Sequence, residues 1–111
     1  MLELHDAIQA LEWERMMERR PMKVHKLKIW PEFFRRILLG HKKFEVRKND
    51  RDYKKGDVLH LYEYNPHTRQ YSGSVIGVKV EYILYGGQFG IEEGYCVMSL
   101  ADWYRDNTLD A

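Results

Sequence analysis

The chemistry of this chain is concentrated between Gly40 and Arg51, which read Gly-His-Lys-Lys-Phe-Glu-Val-Arg-Lys-Asn-Asp-Arg. An amine, a carboxylate and a guanidinium fall within six residues. A lysine amine can act as base or nucleophile, a carboxylate can move a proton, and an arginine fork can hold a phosphate or carboxylate in bidentate fashion. Phe44 and Val46 alternate with Lys43, Glu45 and Arg47, so a strand here puts the two sets on opposite faces. The expectation is that Phe44 and Val46 pack into a core. The Lys-Glu-Arg row then forms either a solvated edge or the floor of a site for an anionic, hydrogen-bonding ligand.

Each candidate has a structural alternative. Lys42 starts the strand on the side of Phe44 and is expected half-buried at a rim. With Lys43 and Arg47 nearby it would keep some neutral amine, whereas Glu45 favours the ammonium. An ordinary Lys42–Glu45 ion pair is an equal reading. Arg47 is the best anion contact, with a cross-strand bridge to Glu63 or Glu81 as its alternative. Asn49, Asp50 and Arg51 read as turn chemistry first and as ligand contacts second. Lys26 and Lys28 share a face and could extend a positive groove or simply be solvated. Of the aromatics, Tyr85 and Phe89 sit in a glycine-rich loop, where they could stack on a base. His25 shares a face with Leu27 and Ile29 and reads as a satisfied core histidine. The other histidines lack partners at ligand spacing, so no metal and no cofactor is expected.

Charge sharpens the picture. The net charge is +1. Residues 19–55 hold fourteen Lys and Arg against four acids, a balance of +10. Residues 1–18 balance at −4 and residues 56–111 at −5. A basic middle attracts phosphates, or keeps a face solvated. At 111 residues, 44% hydrophobic and 14% aromatic, the chain is long and apolar enough for one folded domain. It has no apolar run of membrane-spanning length and no signal-peptide pattern. Cys96 is the lone cysteine, so no intramolecular disulfide can form. A soluble cytoplasmic protein, away from membranes, is the expectation.

These side chains must be positioned by the elements around them. Residues 2–20 read as a helix with Leu4, Ile8 and Leu11 in its stripe, ended by Pro21. Trp13, Met16 and Met17 would contact a second copy if this helix made a homodimer; a packing brace is the simpler role. Residues 23–29 alternate as a strand. Pro31 opens a helix whose buried stripe is Phe33, Phe34, Ile37 and Leu38, and Gly40 stops it. Strands follow at 57–64 and 73–84. The second of these carries Ile76, Val78, Val80, Tyr82 and Leu84 on one face. A last strand, Tyr95 to Leu100, is apolar on both faces and hence central. The division is a helical extension at 1–21, a small α+β domain at 22–100 and a tail at 101–111 with one helical turn around Trp103. About five strands and one buried helix suggest a small barrel or a strongly curved sheet.

The order of strand, Pro-x-x-Phe helix, Gly-x-Lys-Lys-x-Glu-x-Arg and Gly-Asp-x-Leu resembles the ASCH superfamily over about residues 23 to 100. The form Phe44-Glu45-Val46-Arg47-Lys48-Asn49-Asp50-Arg51 is similar to a small bacterial and phage branch of unknown function. The resemblance implies a PUA-like barrel of five or six strands, with a cleft beside the glycine–lysine segment. RNA or a modified nucleoside is the implied ligand. Some relatives hydrolyse the amide of acetylated cytidine through a Gly-x-Lys-Thr-x-Thr-x-Arg motif. By that match the catalytic lysine falls on Lys42 and the arginine on Arg47. Glu45 and Lys43 stand where those enzymes have threonines. Glu92 or Glu93 could match a further catalytic glutamate. Other superfamily members have been described as ribonucleases. The leading expectation is therefore an RNA- or nucleoside-binding cleft with Lys42 and Glu45 as its candidate catalytic pair. Lys28, Lys43, Arg47, Asn49, Asp50, Arg51, Tyr85 and Phe89 are its candidate ligand contacts. A hydrolase and a phage or host protein-interaction module are the alternatives.

Overall fold

A computed structural model describes residues 4–17 and 21–105 of the chain. Seven elements follow one another: α1 (Leu4–Met17), β1 (Val24–Ile29), α2 (Pro31–Leu38), β2 (Phe44–Lys48), β3 (Val58–Asn65), β4 (Gln70–Tyr85) and β5 (Tyr95–Leu100). The ends of the expected first helix, the side chains of Trp13, Met16 and Met17, and the tail beyond residue 105 lie outside the described residues. Of the expected α1 stripe, Ile8 and Leu11 are exposed.

The strands form one mixed sheet in the order β1-β3-β4-β5-β2. Only the β1–β3 pairing is parallel. β4 links the two halves, because its first part pairs with β3 and its second part with β5. The expected barrel does not close through its backbone: β1 and β2 are the two edges of the sheet. Tyr95–Leu100 is interior, between β4 and β2, as its apolar content suggested.

The core forms from the alternation of the strands. In β1, His25, Leu27 and Ile29 are buried while Val24, Lys26 and Lys28 are exposed. Leu59 and Leu61 of β3, Ile76, Val78 and Val80 of β4, and Cys96, Met98 and Leu100 of β5 meet them. Each such side chain contributes roughly 1.5–3 kcal/mol on burial. In β4 the alternation breaks. Val80 pairs with Leu100 and Tyr82 with Ser99, so Glu81 is an extra residue. A bulge of this kind turns the following side chains over. Ile83 is therefore buried, and Tyr82, expected on the core face with Val80, is 63% exposed.

α2 starts at Pro31, with Trp30 in extended backbone as its N-cap. Gly40 takes a φ of 75°, and the amide of His41 returns to the carbonyl of Arg36. That left-handed stop aims the chain into β2. Phe34 and Ile37 are buried as expected, but Phe33 and Leu38 are not. Adjacent positions on a helix point about 100° apart, and here the face centred on Phe34 and Ile37 turns inward while Phe33 lies at its margin.

The expected helical turn at Trp103 is absent among the described residues. Tyr104 instead bridges Gly77 through two backbone hydrogen bonds of 2.9 Å. A Cβ at Gly77 would lie 2.5 Å from the Tyr104 ring, so the residue must be glycine for this approach. Trp103 Nε1 donates to the carbonyl of Leu38 at 3.1 Å and ties the segment to the end of α2.

A second polar anchor fixes β1. Asp57 is 1% exposed and its carboxylate meets His25 Nε2 at 2.8 Å. The same carboxylate accepts the amides of Lys23 and Lys54 at 3.2 and 3.0 Å. His25 is thus a satisfied core histidine, with the Tyr53 ring packed edge-on against it. Asp57 seals the turn at Gly56 to the start of β1.

Candidate ligand-binding cleft

β2 presents its side chains in the opposite sense to the one expected. Phe44 and Val46 are 47% and 52% exposed, whereas Glu45 is 4% exposed. The inversion has a local cause. Glu45 Oε1 accepts Lys42 Nζ, and Oε2 accepts Arg47 Nε at 2.7 Å. Lys42 Nζ also donates to the carbonyl of Phe44 at 2.6 Å. With both oxygens bonded to cations, the carboxylate can be buried at tolerable cost.

Arg47 then reaches across the open seam. Its Nη2 donates to the carbonyl of Lys28 on β1 at 2.8 Å. Arg51, beyond the end of β2, donates through Nη1 to the carbonyl of Lys26 at 2.9 Å. Two arginine side chains therefore bridge the edge strands where no backbone ladder does. The expected partners Glu63 and Glu81 are not those of Arg47; the Lys42–Glu45 ion pair, one of the two readings of that pair, is present.

The gap between the edges is a cleft of about 610 Å³. β1 gives it Lys28 and Ile29, the α2 entry gives Trp30, Glu32, Phe33 and Arg36, and the β2 side gives His41, Lys42, Phe44, Glu45, Val46 and Arg47. Four of these lining residues are cations (Lys28, Arg36, Lys42 and Arg47) and two are carboxylates (Glu32 and Glu45). The surplus is positive, and Arg47 and Lys42 neutralise Glu45 already. Trp30 and Phe33 stack with ring centres 6.0 Å apart and planes 21° apart. Lys42 Nζ lies 5.7 Å from the centre of the Phe33 ring and 5.0 Å from that of Phe44. The arrangement offers flat apolar faces for stacking, cations for an anion and one carboxylate for a hydrogen-bond donor.

The structure gathers Lys28, Lys42, Glu45 and Arg47 in this cleft. Lys43 faces away and lines a smaller hollow of about 140 Å³ beside Trp103. Asn49 accepts the amide of Tyr53 at 3.0 Å, which is turn chemistry. Asp50 is exposed, and Arg51 is held at the seam. Tyr85 donates its hydroxyl to the carbonyl of Tyr53. Phe89 is 85% exposed in left-handed backbone at the tip of the glycine-rich loop. Glu92 and Glu93 are exposed on that loop and, like Asn49, Asp50, Arg51, Tyr85 and Phe89, are not among the residues lining the cleft.

Sequence reasoning missed Trp30, Phe33 and Arg36 as cleft residues. The signal was available in Trp30-Pro31: a large aromatic just before a helix start stays outside the buried stripe. Among the described residues, no group of three His, Cys, Asp or Glu side chains gathers as a metal site requires. No described helix is long and apolar enough to cross a membrane.

Burial raises the titration of two groups above their ordinary values. Tyr53 is pushed up mainly by desolvation, opposed by the charges of Arg51 and Arg47. The thiol of Cys96 is pushed up by desolvation.

Comparison with known proteins finds similarity to a family and to a phage protein. The family described as Domain of unknown function (DUF3850) matches residues 24–100, the span that holds every residue lining the cleft. An "Uncharacterized 12.9 kDa protein in GpA 3'region" of Escherichia phage P2 is 33% identical over 87 residues. That alignment covers 78% of this chain and 65% of the phage protein, less than two thirds of the relative's length. A family without an assigned function and a phage relative agree with the branch expected from residues 44–51.

Proposed function

Because the chain belongs to the family described as Domain of unknown function (DUF3850), we propose its function from its own cleft: binding of RNA or a modified nucleoside between the two edge strands. The observation that carries this reading is the pairing of the Trp30–Phe33 stack with Lys42 and Arg47 across one opening. A base needs an aromatic face and a hydrogen-bonding edge; a phosphate needs a cation held in place. The cleft volume falls within the range of small-molecule sites. The resemblance to the PUA-like ASCH superfamily favours the same class of ligand, and on this reading the seam bridged by Arg47 and Arg51 is the counterpart of that superfamily's cleft.

Binding of an oligouridine to the protein, followed by fluorescence anisotropy, tests the proposal. Affinity should fall steeply between about 50 mM and about 200 mM salt, because phosphate contacts release counterions. Salt-independent binding, or none, counts against it. A protein-interaction module would give the latter result.

A hydrolase is the second reading, and one observation favours it: the Lys42 amine stands in the cleft against the Glu45 carboxylate. That pair could hold and move a proton at the amide of an acylated cytidine. Incubation with acetylated cytidine should then release cytidine from wild type and not from Lys42→Ala. No release from wild type removes the amidohydrolase reading and leaves the binding proposal intact.

A further inference from the structure

Lys28 belongs to two surfaces. It lines the cleft, and its Nζ stands 4.4 Å from the ring centre of Tyr64 and 5.8 Å from that of Tyr71. Tyr71 in turn lies 4.9 Å from Tyr64 in a tilted contact and 6.3 Å from Tyr62 edge-on. The register explains the grouping. Lys28 pairs with Tyr62 between β1 and β3, and Tyr64 pairs with Tyr71 between β3 and β4. Directly paired residues project from the same face of a sheet; the β3–β4 register shifts between Tyr62 and Tyr64, but the Tyr71 ring touches both, so the lysine and three tyrosines share one face.

This face is not core. Tyr71 is 55% exposed, and Tyr62 and Tyr64 are only half-buried. Beside Tyr71 a hollow of about 340 Å³ is lined by Pro31 and Arg35 of α2 and by Glu63, among others. Pro31 directly follows Trp30, so the hollow and the cleft flank the entry to α2. Lys28 and Trp30 are two residues apart, roughly 7 Å in extended chain. Two aromatic stations thus sit close together with a lysine between them.

We propose that the cleft and the tyrosine face form one track for a single strand of nucleic acid, with one base in the cleft, a neighbouring base on Tyr71 and Lys28 at the phosphate between them. The inference rests on the proposed function of the cleft and adds the size of the ligand: a strand of several nucleotides, not a lone nucleoside. Stacking on a tyrosine face is tolerant of base identity, and Lys28 supplies a charge that a phosphate backbone needs.

The test compares uridine monophosphate by calorimetry with an oligouridine octamer by anisotropy. The octamer should bind wild type at least tenfold tighter than the monophosphate. Tyr71→Ala should weaken the octamer about tenfold, as loss of one stacking partner does, and leave the monophosphate unchanged. Tyr71→Phe keeps the ring and should retain wild-type affinity. Wild-type protein crosslinked to an octamer carrying 4-thiouridine should yield labelled residues within 62–71, a readout independent of whether any variant folds. An octamer of thymidine that binds equally well supports the track and assigns it to stacking and phosphate, without use of the 2′-hydroxyl. Monophosphate binding with no gain for the octamer, or an octamer indifferent to Tyr71→Ala and crosslinked elsewhere, overturns the track and leaves the cleft proposal standing. Failure of both ligands to bind overturns the cleft proposal, and the track with it.

Discussion

Arg47 Nη2 donates to the carbonyl of Lys28 at 2.8 Å, and this bond spans the seam between two edge strands that share no backbone ladder. The same guanidinium holds Glu45 through Nε. One side chain thus fixes both the width of the cleft and the orientation of its buried carboxylate.

Arg47→Ala should therefore lose stability as well as ligand affinity. Charge-assisted hydrogen bonds contribute about 1.5–3 kcal/mol each, discounted here because Arg47 is partly exposed, so a net loss of about 1–2 kcal/mol is expected in urea unfolding. Arg47→Lys should rescue little, since an ammonium cannot span Glu45 and the Lys28 carbonyl in the same fixed fork. Full rescue by lysine would show that charge alone matters at this position.

Asp57→Ala should be among the most destabilising substitutions in the chain. It strips from one buried carboxylate partners that include His25 Nε2 and the amides of Lys23 and Lys54. Loss of about 3–5 kcal/mol is expected, as for other broken buried pairs. Asp57→Asn keeps an acceptor and should cost less. Equal losses for both variants, measured by denaturant midpoint at constant slope, would assign the effect to something other than these hydrogen bonds.

Tyr53 gives the fold an alkaline limit. Its phenol ionises above the ordinary value of 10.0 in the folded protein, so the unfolded chain gives up this proton first. The contribution to stability is complete below the unfolded value and drains away as pH rises through the folded one. Tyr53→Phe should flatten the decline of unfolding free energy above about pH 10. A variant with the wild-type slope would place the alkaline sensitivity elsewhere.

Cys96 should be silent until the protein unfolds. It is fully buried and its thiol is pushed up, so little thiolate exists near neutral pH. Native protein should react with a disulfide reagent only as fast as it opens, and quickly in urea. Rapid labelling of native protein would mean that β5 is accessible.

Gly77→Ala should release the segment around Tyr104, because a Cβ there collides with the tyrosine ring. Faster hydrogen exchange at the amide of Tyr104, with little change in β3, is the expected signature. An unchanged exchange rate would show that the ring simply moves aside.

Much of this fold is legible from alternation and from punctuation by proline and glycine. Pro31 and Gly40 bracket α2, and the alternation of 23–29 assigns β1 with its buried face. Tertiary context overrode local pattern in two places. In β2 the alternation was read correctly and the facing wrongly. Which set turns inward is settled by Lys42, Glu45, Arg47 and a carbonyl nineteen positions earlier on Lys28, and no local hydrophobicity encodes that. In β4 the bulge at Glu81 turns Tyr82 outward, and a bulge leaves no periodic trace. The site was legible in Lys28, Lys42, Glu45 and Arg47, which share a short segment or a strand face. It was not legible in Trp30, to which the sequence assigned no role, or in Phe33, which the helix stripe claimed for the core.

The central claim, that the seam cleft takes a nucleotide-like ligand, is tested most directly by titrating cytidine or uridine monophosphate into isotope-labelled protein and mapping the amide and side-chain shifts. The account predicts saturable changes concentrated at Trp30, Phe33, Lys42, Phe44 and Arg47. No shifts, or shifts confined to the loop around Phe89, would contradict it.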